Sequence, residues 1–298
     1  MPKLLISFLL AIGAIVPGHA QQAQVPKEDP SSGTIVVQGI RDPRKEISRF
    51  VDALTEAPAM DQLSRFDWAV CPAAVGLSDA RSAAIARRML QVAKAAAIPV
   101  AKPGCKPNVL LIVARDKSEL IGELQRKYPA YFKGVNTTEV KRMMGDPSPA
   151  AAWHVEGRLD ADGLEAQRDL TTGHTIVERP DAPSRLSTAS RPHFIASVVV
   201  VELDSLTGLT ETQLADYSAM RAFARTDPRR LEKSNAPTIL SALDAPMNSP
   251  VPLTLTEWDL AFLKSLYASD ANRMASGQRH EMKQIVRRTL KVEPKNGE

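Results

Sequence analysis

The side chains best suited to chemistry in this chain are His154, Glu156, His193, Asp216, Tyr217 and Arg221. The first two lie in Trp153-His154-Val155-Glu156-Gly157-Arg158. On a strand, alternation places His154, Glu156 and Arg158 on one face. Such a face could bind an acidic group or shuttle a proton. It could equally be the solvated face of a sheet. Arg185, Arg191 and His193 border a Pro/Ser-rich loop over 180–192 that could hold an anion beside a strand. A polar surface loop accounts for the same residues. Gln213, Asp216, Tyr217 and Arg221 are spaced to share one helix face, whereas Tyr217 with Leu214, Met220 and Phe223 reads as core.

Motifs that would name a reaction are missing. There is no HExxH, GxSxG, Walker P-loop, GxGxxG or Ser-x-x-Lys. Beyond residue 20 the histidines are His154, His174, His193 and His280, none paired at helical ligand spacing. No metal site and no cofactor are therefore assigned, since zinc hydrolysis needs three protein ligands and an open position.

The N-terminus bounds the compartment. Lys3, the apolar run Leu4 to Val16 and the small residues Gly18 and Ala20 follow the order of a secretory signal peptide. The run is shorter than the roughly 17–25 residues that span a bilayer. We expect residues 1–20 to be removed near Ala20 and the product to be periplasmic or secreted, with no transmembrane segment in the mature chain. Loss of Lys3 lowers the net charge from +4 to +3, which gives no electrostatic footprint for nucleic acid. In an oxidising compartment the pair Cys71 and Cys105 reads as a disulfide closing a loop of about 34 residues. Two separate buried thiols are the alternative.

Several elements must position these groups. Residues 21–33 are polar and Pro/Ser-rich, a disordered leader. Thr34 to Gln38 is strand-like, and Asp42-Pro43 starts a helix. Gln62 to Val70 reads as a strand, and Ser78 begins a helix to about Ala97. That helix has an apolar stripe of Ile85, Met89, Val92, Ala93 and Ala96, with basic residues, among them Arg88, on the other side. Asn108 to Ala114 reads as a strand buried on both faces. Cys71 would then follow one strand and Cys105 precede the next, at opposite ends of a parallel pair. Either the strands are antiparallel, or 98–105 runs back along the sheet, or the bond is absent. Asp116-x-x-Glu119 starts another helix. A short helix over 138–144 leads to a breaker at 145–150, a possible sub-boundary in a single 34–298 domain. Strands over 152–159, 164–169 and 175–178 read as an antiparallel meander. His193 to Leu203 is the strongest strand. Helices follow from Thr210, Thr238, Thr256 and about Gly277.

Four stretches carry a resemblance: Val70 to Leu77, Gly104 to Asn108, Gly208 to Arg221, and Leu255 to Tyr267. They resemble an uncharacterised family of exported proteins from Gram-negative bacteria. More remotely the plan is similar to zincin-like (metzincin-type) domains, in which a strong strand leads to a helix carrying HExxH ligands. Here Gln213 to Arg221 stands where those ligands would be. The resemblance implies a zincin-like scaffold without its metal site.

The fold expected is therefore α+β, a mixed sheet with helices and one disulfide. The function expected is a non-enzymatic binding or envelope-interaction domain, with an envelope protein or a small ligand as partner. The alternative is a hydrolase assembled from Glu156, Asp216, Tyr217 and His193 or His154, which requires those groups to converge in one cleft.

Overall fold

The computed structural model describes residues 40–55, 61–160, 162–168, 175–176, 190–245 and 250–292. The leader, the strand expected over 34–38 and Arg185 lie outside them. Asp42 caps the first helix, α1 (Pro43–Leu54), by accepting from Lys45 N. Pro43 begins it because proline lacks the N–H that a first turn leaves unpaired.

The strand β1 is Pro72–Val75, not Gln62 to Val70. The earlier stretch is irregular because its apolar residues Leu63, Phe66 and Val70 are spaced by three and four, not two. Its backbone is satisfied by side chains: Leu63 N donates to Gln278 Oε1 at 2.6 Å and Phe66 N to Tyr267 Oη at 3.3 Å. Cys71 thus precedes β1. After it come α2 (Asp79–Ala95) and β2 (Val109–Ala114), which pairs parallel with β1. Gly76 turns the chain out of β1 at φ +90°, and a Cβ there would meet Val113 O at 2.0 Å. Only glycine fits both demands. The stripe expected on α2 is buried, Ile85 through Ala96.

The misplaced strand had created the difficulty over the disulfide. Cys71 and Cys105 both precede parallel strands, at the same end, and are bonded with Cα atoms 6.2 Å apart. Asn108 braces the same corner, accepting from Cys71 N at 2.7 Å and donating to Ala69 O at 3.2 Å. Replacing both cysteines by serine is expected to cost about 3–4 kcal/mol, because the bond closes a 34-residue separation in the unfolded chain. The urea midpoint reads this directly, and an unchanged midpoint would refute it.

Beyond β2 the chain forms α3 (Lys117–Lys127), capped by Asp116, and α4 (Thr137–Gly145), capped by Asn136. The turn after α4 leads into β3 (Ala150–Asp160), which pairs antiparallel with β6 (Ser190–Glu202). The sheet order is β1-β2-β6-β3, with β2 and β6 parallel. The expected meander is present in short form: the chain folds back on the end of β3, where Leu159 bridges Glu165 and Ala166 N donates to Arg158 O at 2.8 Å, and β4 (Gln167–Arg168) pairs antiparallel with β5 (Thr175–Ile176). Over its whole length β3 also pairs with β6, which the meander did not foresee.

Each inner strand divides its residues between two layers. Val109, Leu111, Val113, Val199 and Val201 face one core, shared with α1, α2 and three later helices: α5 (Glu211–Phe223), α6 (Glu257–Ala268) and α7 (Ala275–Thr289). Val198 and Val200, with Ile112 and Ala114 less buried, face a second core under α3 and α4. β2 is therefore not equally buried on both faces; its alternate residues are half-buried. Full capping boxes begin α5, at Thr210 and Gln213, and α6, at Thr256 and Asp259. Every α5 residue from Gln213 to Phe223 is buried, so this helix forms the centre of the larger layer. Among the described residues no helix is long and apolar enough to cross a membrane.

Candidate functional site

Strand β3 is an edge strand, and its pairing tells which backbone groups are free. Glu202 N donates to Pro149 O at 2.9 Å. In an antiparallel ladder, bonded pairs recur every second residue. Ala151, Trp153 and Val155 therefore turn their backbone groups to β6, and Ala150, Ala152 and His154 turn theirs outward. Ala150 N reaches Ser148 Oγ at 3.5 Å. The outward groups of Ala152 and His154 have no hydrogen-bond partner among the described residues.

A cleft of about 880 Å³ lies along this edge. One wall is α4, with Glu139 and Arg142. The other is the end of α5 and the segment after it, with Arg221, Arg225, Asp227 and Arg229. The rim between α4 and β3 is pinned from below. Lys117, only 2 % exposed, donates its Nζ to Asp146 O at 2.7 Å and Ser148 O at 2.6 Å. Arg229 joins the walls, bonding Asp146 at 2.6 Å and Asp227 at 2.8 Å. Burial pushes the Asp227 carboxyl up, but the bonds from Arg229 outweigh it and hold Asp227 below the usual carboxylate range.

The floor is Arg221, backed by the fully buried Tyr217 one turn earlier on α5. Arg221 Nη1 donates to Tyr217 Oη at 2.9 Å, and the guanidinium lies 5.8 Å from the ring centroid. Burial raises the Tyr217 hydroxyl above its ordinary pKa, keeping it protonated. Arg221 is 8 % exposed and its Nε is buried without a partner.

The six residues singled out in the sequence separate into different places. Of them only Arg221 lines the cleft, with Tyr217 fully buried behind it. The His154 ring is buried, stacks on Phe194 at 4.0 Å, and its Nε2 lies 3.0 Å from Ala222 O. A carbonyl only accepts, so Nε2 carries the proton. Burial pushes this imidazole down to about 3. Glu156 pairs with Arg225 at 2.7 Å. His154 and Glu156 share a face, as alternation along β3 predicts: the extra residue at the register shift, Ile195, lies on β6, and the two side chains turn to α5 and the segment after it, at Ala222 and Arg225. Arg158, further along the strand, pairs with Asp61 at 3.1 Å.

His193 and Asp216 stand apart from the cleft. His193 pairs with Gly157, further along the sheet, and packs against Trp68 at 4.5 Å. Burial lowers its pKa. Its neighbour Arg191 meets Asp67 at 3.4 Å. Asp216 turns to α2, where it receives both arms of Arg88 at 2.7 and 2.9 Å. Arg88 is thus not a freely solvated member of the basic α2 face. Among the described residues no three His, Cys, Asp or Glu gather as metal ligands would.

Sequence reasoning passed over Arg225, Asp227 and Arg229 as cleft residues. Their readable signal is the run of charge that begins at Arg221 in the last turn of α5 and continues past it through Arg225, Asp227 and Arg229. No family model, curated protein or solved structure compared with the chain matches it.

Proposed function

We propose that the chain is an exported, periplasmic binding domain on a zincin-like scaffold, and that its cleft takes an extended peptide as an added strand beside β3. The observation that carries this is the free edge of β3 at Ala152, which lines a cleft between two walls, with the outward backbone of His154 next along the same edge. Unpaired edge groups pair readily with an extended chain. The scaffold reading is supported by the connectivity: an antiparallel edge strand beside an inner strand that runs on to a buried helix behind the cleft. It is further supported by spacing. In HExxH the two histidines stand four residues apart on one helix face. Tyr217 and Arg221 have that spacing, and neither is a usual zinc ligand.

The mature protein mixed with a tryptic digest of casein tests this. The amides of Ala152 and His154 are expected to shift in NMR spectra and to gain protection from hydrogen exchange, with the peptides recovered intact. Unchanged edge amides would overturn the strand-addition reading. Cleavage of the peptides would overturn the non-catalytic part and favour the hydrolase alternative.

A further inference from the structure

Arg221 is costly to keep in the cleft floor. A guanidinium carries five N–H donors and no acceptor. Here one is used, from Nη1 to Tyr217 Oη. Nε is buried and unpartnered, although a buried charge normally requires pairing. Among the described residues no carboxylate comes within ion-pair distance of Arg221, although Asp227 feels its charge, while its neighbours Arg225 and Arg229 are held by Glu156, Asp146 and Asp227. Tyr217 cannot serve as the counter-charge, because burial keeps its hydroxyl protonated.

We propose that Arg221 is the anion-recognition group of this cleft and that it takes a single carboxylate, the C-terminal carboxylate of the bound peptide. The planar fork suits a carboxylate, which can accept from two of its N–H groups at once. The remaining cleft charges select the ligand's own charge. On the same walls the four carboxylates Glu139, Asp146, Asp227 and Asp244 outnumber the three other arginines, Arg142, Arg225 and Arg229, so a dianionic phosphate would meet repulsion that a monoanion meets less. The inference rests on the peptide-binding reading for the identity of the ligand, but not for the presence of the anion site.

Two measurements keep those readings apart. The first compares N-acetyl-tetraalanine as the free acid and as the amide. The acid is expected to bind about tenfold or more tightly, the ordinary worth of a hydrogen bond to a charged group. Arg221→Gln should remove that preference, so that acid and amide bind alike, and Arg221→Lys should keep part of it. Equal binding of acid and amide, or a preference that survives Arg221→Gln in a folded variant, overturns the proposal. The second follows the Arg221 Nε–H resonance in wild-type protein titrated with propionate or with inorganic phosphate. A saturable shift with propionate, weaker with phosphate, is expected. No shift with either overturns the anion site, and a stronger response to phosphate overturns the choice of carboxylate. If propionate shifts Arg221 and neither peptide binds, the anion site stands while the peptide C-terminus, and with it the strand-addition reading, fails.

Discussion

Asp216→Ala is expected to destabilise the protein by about 3–5 kcal/mol, the usual cost of removing one partner from a buried ion pair. Asp216 is fully buried. Its carboxylate binds Arg88 through both oxygens and also accepts from Thr254 Oγ1 at 2.7 Å and Leu255 N at 2.6 Å. One side chain on α5 therefore holds α2 and the segment that leads into α6. Truncation leaves the Leu255 N–H and the Thr254 hydroxyl without their buried acceptor, and a guanidinium that is only a third exposed without its counter-charge. For a chain of this size the loss corresponds to a fall in Tm on the order of 10 °C. The double variant Arg88→Met with Asp216→Leu is expected to recover most of it, since apolar replacement of both partners removes the stranded charge. A wild-type Tm for Asp216→Ala would show that the tie carries no stability. Failure of the double variant to recover would place the cost elsewhere, in the bonds to Thr254 and Leu255.

Asp216 also marks where the sequence was legible and where it was not. Local signals were read well: Asp42-Pro43, Thr210-x-x-Gln213 and the apolar stripe of α2 all report on neighbours in the chain, and each became the element expected. The pairing of Cys71 with Cys105 was readable because only two cysteines exist. Asp216 was noticed as a polar residue on a helix, but its partner lies 128 positions away on α2, and helical spacing has no access to that distance. The same limit applies to the sheet. His193 to Leu203 was recognised as a strand, while its place between β2 and β3 depends on pairing across long separations. Alternation along β3 placed Glu156 on the face of His154, but its partner Arg225 lies on the segment after α5, far along the chain. The cleft shows the same limit. Its floor lies on α5, its edge on β3 and its rim on a buried lysine of α3, so only Arg221 and Tyr217 could be found by looking along one helix.

His154 is expected to make the protein sensitive to mild acid, and the sign follows from its surroundings. The ring is packed between Phe194 and the end of α5, and burial, then the positive charges of Arg225 and Arg221, oppose its protonation. It takes a proton in the folded state only near about 3, against about 6.5 when unfolded. Between those values the unfolded chain binds more protons, so stability falls as pH falls. The contribution is complete above about 6.5 and lost by about 3, and integrates to something on the order of 5 kcal/mol. His154→Gln isolates it, because an amide can still donate to Ala222 O but does not titrate. The urea midpoint of wild type should drop more steeply between about pH 7 and about pH 4 than that of the variant. Parallel pH profiles would refute the assignment. Some slope should remain in the variant, since His193 is also lowered by burial and contributes with the same sign. A carboxylate seated on Arg221 would offset one of the two positive charges that resist protonation of His154. Saturating the cleft with N-acetyl-tetraalanine free acid should therefore flatten the wild-type profile, and have little effect on that of His154→Gln.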